Sequence, residues 1–194
     1  RHVFSHFGSG TLAGAKTFLS HFFAVNPLTF MKEWSELAGK GLTPKVVIDG
    51  AAPVTTPYDM MINQIVEDAR GHHRHGSCGV GFGETLARHE DSPCILTAAD
   101  ICTQNLPEKI IRVRDHWLPV RLEQLGVHAL STEWRHRINS DEILEAFLSC
   151  CQELLDRSVL ADGDYLKRCG SVIFEGAQGL LLDQNHNWFP HVTR

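Results

Sequence analysis

Two glycine-hinged stretches carry the residue types from which a ligand site could be built. In Val172–Asp183, V-I-F-E-G-A-Q-G-L-L-L-D, a short apolar run, Val172–Phe174, leads to Glu175 and Gln178, and a second apolar run ends at Asp183. Gly176 and Gly179 allow a sharp turn and a close backbone approach to a ligand. The Gln178 amide both donates and accepts hydrogen bonds, which suits reading a purine edge or holding a reacting group. The same pattern describes an ordinary glycine turn after a buried strand, with Asp183 as a turn former or helix cap. In Gly76-Ser77-Cys78-Gly79-Val80-Gly81-Phe82-Gly83, glycine recurs at every second or third position, so consecutive backbone N–H groups can converge on an anion, phosphate being the natural guest. No G-K-S/T follows, so this is not a Walker A loop, and the spacing is not the dinucleotide fingerprint. A flexible surface loop is the alternative.

Other polar clusters are weaker. His72, His73, His75 and Cys78 include metal-ligand types, but their spacing fits no common signature and Arg74 interrupts them, so a solvated turn is expected and no metal site in this segment. Cys78 as a nucleophile has no assignable base. His186, Asn187, His191 and Thr193 close the chain around Trp188-Phe189-Pro190, and all four can bind a sugar or phosphate, although such an aromatic-proline turn equally often packs.

The surrounding pattern must position these loops. Phe18–Val25 forms a strand-like run. Asn26-Pro27 supplies an N-cap and a first-turn proline, and Leu28, Met31, Trp34 and Leu37 then recur at helical spacing until Gly39 and Gly41. Lys45–Asp49 is a second strand, of the β-branched kind found in buried sheets. Thr56 caps a helix that begins at Pro57, with Tyr58, Met61, Ile62, Ile65, Val66 and Ala69 on one face and a stop at Gly71. His72–Gly83 is a polar, histidine-rich turn running into the glycine-rich loop. Leu106–Gly126 is helical, kinked or restarted at Pro119. Ser140–Ser158 is the clearest amphipathic helix, with Ile143, Leu144, Phe147, Leu148, Cys151, Leu154 and Leu155 on one face. Strands alternating with helices predict an α/β sheet, whose ligand crevice lies outside the carboxyl ends of its strands. No repeat or linker marks a boundary, so residues 1–194 are expected to form a single domain or the central part of one.

Composition narrows the function. The 194 residues are 43% hydrophobic, enough for one substantial core, and the net charge of −5 shows no electrostatic footprint for nucleic acid. Apolar runs are only a few residues long, so no membrane partner is expected and a cytoplasmic protein is. The six cysteines, without a C-x-x-C pair, are expected to be reduced thiols. The chain starts at Arg1 without Met, and a fragment of a longer protein is expected.

Taken together, these stretches resemble the adenylosuccinate synthetase family. Val172–Thr193, V-I-F-E-G-A-Q-G-L-L-L-D-Q-N-H-N-W-F-P-H-V-T, is similar without a gap to that family's F-E-G-A-Q-G-x-L-L-D-x-x-x-G-T-x-P-x-V-T segment. F-G-S-G-T-L near the start is similar to its L-P-S-G-x-L. The order of Val25-Asn26-Pro27, the Thr56–Gly71 helix and the Gly76–Gly83 loop also agrees.

The resemblance implies a mostly parallel central sheet flanked by helices, related to P-loop NTPases, and a homodimer. It implies an enzyme in which GTP, with Mg2+, phosphorylates the 6-oxygen of inosine monophosphate, after which L-aspartate displaces phosphate. On that footing Gln178 is the catalytic residue, contacting the purine near its 6-position, where a neutral amide steadies developing charge. Thr193 would bind the 5′-phosphate. Ser77 and Cys78 stand where the family's G-T-T-G-R-G-I-G-P loop has its two threonines, followed by Gly79.

Here Val80 replaces the loop's arginine and Glu84 its proline, and Arg88 is the nearest candidate for the basic residue that reaches the partner subunit's nucleotide. The family's G-D-E-G-K-G and G-H-T segments, which carry the catalytic aspartate and histidine, do not occur in these residues, so the segment by itself is expected to be inactive. Two alternatives stay open: a relative acting on another purine nucleotide such as deoxyguanylate, and a non-catalytic nucleotide-binding or scaffold homologue.

Overall fold

The computed structural model describes residues 2–74 and 76–176. The Asn26 side chain accepts the N–H groups of Leu28 and Thr29 at 3.1 and 3.3 Å, and Pro27 fills the first turn, where no N–H is needed, so helix α1 runs Pro27–Ala38. It joins two parallel strands, β1 (Lys16–Leu19) and β2 (Lys45–Asp49), paired with Thr17 opposite Val46 and Leu19 opposite Ile48. A third strand, β3 (Ser158–Ala161), lies parallel on the other side of β2, with Val47 opposite Val159. Among the described residues the sheet order is therefore β1-β2-β3. Val46, Val47 and Ile48 are buried on both faces of β2, as a central parallel strand requires.

The connection from β2 to β3 is helical: α2 (Pro57–Arg70), α3 (Phe82–Asp91), α4 (Leu106–Arg112), α5 (Leu118–Gln124), α6 (Thr132–Ile138) and α7 (Asp141–Arg157). The expected α/β fold with a parallel sheet flanked by helices is what forms. α1 packs on α7, bringing Phe30 and Leu37 into one core with Ile48, Phe147 and Leu154, all fully buried. Burial of each such side chain contributes about 1.5–3 kcal/mol.

α2 begins with a reciprocal cap. Thr56 N–H and Oγ donate to Asp59 Oδ2 at 2.8 and 2.9 Å, while Asp59 N–H reaches back to Thr56 Oγ at 3.3 Å. The helix expected across 106–126 is present with a π turn, Val113–Trp117, between α4 and α5. Pro119 lacks an N–H for the carbonyl four residues back and its ring crowds that carbonyl, and the widened turn lets the helix pass it.

Several expectations change. The run Phe18–Val25 is not one strand: β1 ends at Leu19, Phe23 N–H donates to Ser20 O at 2.9 Å in a turn, and Val25 forms only an isolated parallel bridge with Val54. Ser20 Oγ accepts from Phe22 N–H at 3.3 Å, a local bond that competes with the strand ladder. The expected loop to Gly83 instead gives way to α3 at Phe82. β3 and α6 had no counterpart in the sequence pattern.

The chain divides into two compact units, Arg1–Gly163 and Asp164–Arg194. The sheet and α1–α7 belong to the first. In the second, residues 171–176 form no strand, and Ile173 and Phe174 are 93% and 85% exposed. The buried strand expected at Val172–Phe174 is thus not formed.

Candidate nucleotide site at the glycine-rich loop

The Gly76–Gly83 loop is built on α2. Asn63 and Gln64 lie on the half-buried side of that helix and Glu67 one turn further along it. Asn63 Nδ2 donates to Ser77 Oγ at 2.9 Å, and Gln64 Nε2 donates to the Gly79 carbonyl at 2.9 Å. Glu67 Oε2 accepts the N–H groups of Gly76 at 2.9 Å and Ser77 at 3.4 Å, while its other oxygen pairs with Arg70 at 2.7 Å. From the other side, Asn26 Nδ2 lies 3.4 Å from the Val80 carbonyl. One residue therefore caps α1 and tethers the loop.

Gly81 closes the loop at φ 78°, where α3 begins. A Cβ there would stand 2.7 Å from Met60 N and 2.8 Å from the Asp59 carbonyl carbon, so only glycine lets the loop lie against the first turn of α2. Ser77 and Cys78 are exposed and Gly79 is half-buried, so the expected phosphate-binding residues share one accessible loop. The Cys78 thiol is a weak donor, which leaves the Ser77 hydroxyl and the backbone N–H groups as the effective ones. Glu84, which would repel a phosphate as a free charge, is held by Arg121 Nε at 2.7 Å, and Arg121 also lies over the Trp117 ring.

The base of the loop is rigid. Arg88, expected as the basic residue reaching toward a partner subunit, is fully buried instead. Its Nε and Nη2 each donate to the Asp59 carboxylate at 2.9 Å, and Nη1 and Nη2 donate to the carbonyls of Cys94 and Val54, each at 2.7 Å. With its donors turned inward, the guanidinium anchors α3 to α2 and cannot extend from the surface.

His6 supports the other side. It is 6% exposed, and its Nε2 accepts the Asn26 N–H at 2.9 Å. Burial outweighs the attraction of Glu33 and pushes its pKa down to about 4, so the ring stays neutral and keeps that acceptor.

Gln178, Asp183 and Thr193, with His186, Asn187 and His191, lie outside the described residues, as does His75 of the histidine-rich turn. The structure therefore brings together Ser77, Cys78 and Gly79 of the expected site and assigns Arg88 elsewhere. Among the described residues no group of three or more His, Cys, Asp or Glu side chains lies close enough to hold a metal ion. The clamps Asn63, Gln64 and Glu67 were not evident from sequence. They fall on the polar face of an amphipathic helix, where a loop contact leaves no periodic trace. Thr56, by contrast, was readable as a cap from its place before Pro57.

A family model described as adenylosuccinate synthetase matches residues 1–194. The chain is similar to the adenylosuccinate synthetase of Trichodesmium erythraeum, 31% identical over 175 residues, which is 87% of this chain and 38% of that protein. It is 28% identical to the enzyme of that name from Cyanothece sp. over 173 residues, covering 87% of this chain and 37% of that one. With the Borrelia turicatae protein of the same name, identity is 26% over 196 residues, covering 98% and 44%. The chain thus spans less than half the length of these curated relatives.

Proposed function

The chain belongs to the adenylosuccinate synthetase family, and on that premise we propose that the whole protein is a GTP-dependent carbon-nitrogen ligase of purine nucleotide biosynthesis. It joins L-aspartate to the 6-position of a purine nucleoside monophosphate, inosine monophosphate being the expected substrate. These residues furnish the half of the site that holds that nucleotide, in a cytoplasmic homodimer. The observation that carries the reading is the Gly76–Gly83 loop, held on α2 with the Ser77 hydroxyl at its accessible face.

In this reading the loop binds the 5′-phosphate through Ser77 Oγ and backbone N–H groups, with Thr193 as a further contact. Gln178 places its neutral amide at the purine 6-position, where it stabilises the charge that develops as the 6-oxygen is converted to a leaving group. GTP supplies the phosphoryl group for that conversion. The described side chains form no cluster that fits Mg2+.

The test is GTP- and aspartate-dependent phosphate release by the full-length protein against a panel of purine monophosphates that includes inosinate and deoxyguanylate. Turnover with inosinate is the expected result. Turnover with deoxyguanylate alone would reassign the substrate, and no turnover with any nucleotide by folded protein would leave the scaffold reading.

A further inference from the structure

Four side chains act on the glycine-rich loop, and their directions determine which of its donors face outward. In a trans peptide the carbonyl and the following N–H point in opposite directions. Gln64 Nε2 holds the Gly79 carbonyl toward α2 at 2.9 Å, so the Val80 N–H is turned away from α2. Asn26 Nδ2 holds the Val80 carbonyl from the α1 side, a longer contact at 3.4 Å, and sets the next peptide plane in the same manner. Asn63 Nδ2 donates to Ser77 Oγ at 2.9 Å, which occupies an acceptor site on the hydroxyl and leaves its hydrogen to donate elsewhere. The Gly76 and Ser77 N–H groups are taken by the Glu67 carboxylate and are not offered to a ligand.

Resting on the reading above, we infer that Gln64 and Asn63 are positioning residues for the substrate phosphate, Gln64 by turning the Val80 N–H away from α2 and Asn63 by leaving the Ser77 hydroxyl hydrogen to donate, while Glu67 occupies the start of the loop. Phosphate recognition then falls on residues 77 and 80 and not on the run of glycine N–H groups as a whole. Glu67 is paired with Arg70, so its charge is compensated where the phosphate approaches.

The deciding variant is Gln64→Met in the full-length protein, which keeps length and helix propensity but removes the donor to Gly79. Asn63→Ala removes the second clamp and serves where the first variant fails to fold. Binding of inosine monophosphate and of inosine is measured for wild type and variants, together with KM, kcat and the melting curve. The expected result is a weakening of inosine monophosphate binding and a rise in KM of about tenfold, the scale of one hydrogen bond at a site. Inosine binding stays unchanged, the melting temperature falls by no more than a few degrees, and kcat moves less than KM.

Unchanged inosine monophosphate binding in both folded variants would overturn the inference while leaving the proposed function in place. Equal weakening of inosine and its monophosphate would overturn it too, because the effect would not be directed at the phosphate. If wild type binds neither compound, the proposed function fails and this inference with it.

Discussion

Replacing Gly81 by alanine tests the packing of the loop on α2 most directly. Gly81 has φ 78°, and its Cβ would stand 2.7 Å from Met60 N and 2.8 Å from the Asp59 carbonyl carbon. Those are backbone atoms of a helix turn that is fixed twice, by the Thr56–Asp59 cap and by the buried Arg88–Asp59 pair. The turn therefore cannot move aside as the tip of a flexible side chain would. A non-glycine residue in the left-handed region costs about 1–2 kcal/mol, and an overpacked contact that cannot relax adds about 1–3 kcal/mol, so Gly81→Ala is expected to cost ~2–5 kcal/mol.

Gly76→Ala is the matched control. Gly76 has φ 74°, but no described residue lies within 4 Å of its Cβ position, so this variant carries only the conformational part. Denaturant unfolding of both variants separates the two contributions, and at roughly 2–4 °C per kcal/mol for a domain of this size the melting temperatures separate them as well. If Gly81→Ala is no more destabilised than Gly76→Ala, the close approach of loop and helix is refuted.

Three further outcomes are expected. Arg88→Met leaves the fully buried Asp59 carboxylate without its partner and costs about 3–5 kcal/mol, part of which Arg88→Met with Asp59→Asn restores; a double variant no more stable than the single one would contradict a charge-pair role. Because His6 is neutral in the fold with a pKa of about 4 against an ordinary 6.5, its contribution to stability is complete above pH 6.5 and is lost as the pH falls toward 4. That loss is ~3 kcal/mol, and unfolding free energies of wild type and His6→Gln across this range check it, the variant giving the flatter profile. Gln178→Ala is expected to leave the melting curve intact and abolish turnover of the full-length protein, and unchanged kinetics would remove Gln178 from the site.

Local chemistry made much of this architecture legible in the sequence. Asn26-Pro27, Thr56-Pro57 and Ser140 each announced a helix start that the structure reproduces, because capping depends on side chains within three residues of the backbone groups they satisfy. Lys45–Asp49 emerged with its boundaries intact, because a strand buried on both faces needs an unbroken β-branched run. The ungapped similarity of Val172–Thr193 and the glycine pattern of Gly76–Gly83 were enough to point to the family.

Where partners lie far apart in sequence, only the tertiary structure decided. Ser158–Ala161 is a strand because β2, more than 100 residues earlier in the chain, offers it a ladder, with Val47 opposite Val159. Arg88 became an internal anchor because Asp59, 29 residues away, faces it in a fully buried setting. The loop's donors acquired a direction from Asn26, Asn63 and Gln64, whose side chains sit on helix ends and faces where sequence shows only polarity. Sequence thus indicated most of the elements and the family, since propensity, capping and glycine freedom act locally. The fold set the direction of the loop's donors, because direction is fixed by contacts between segments that the chain order keeps apart.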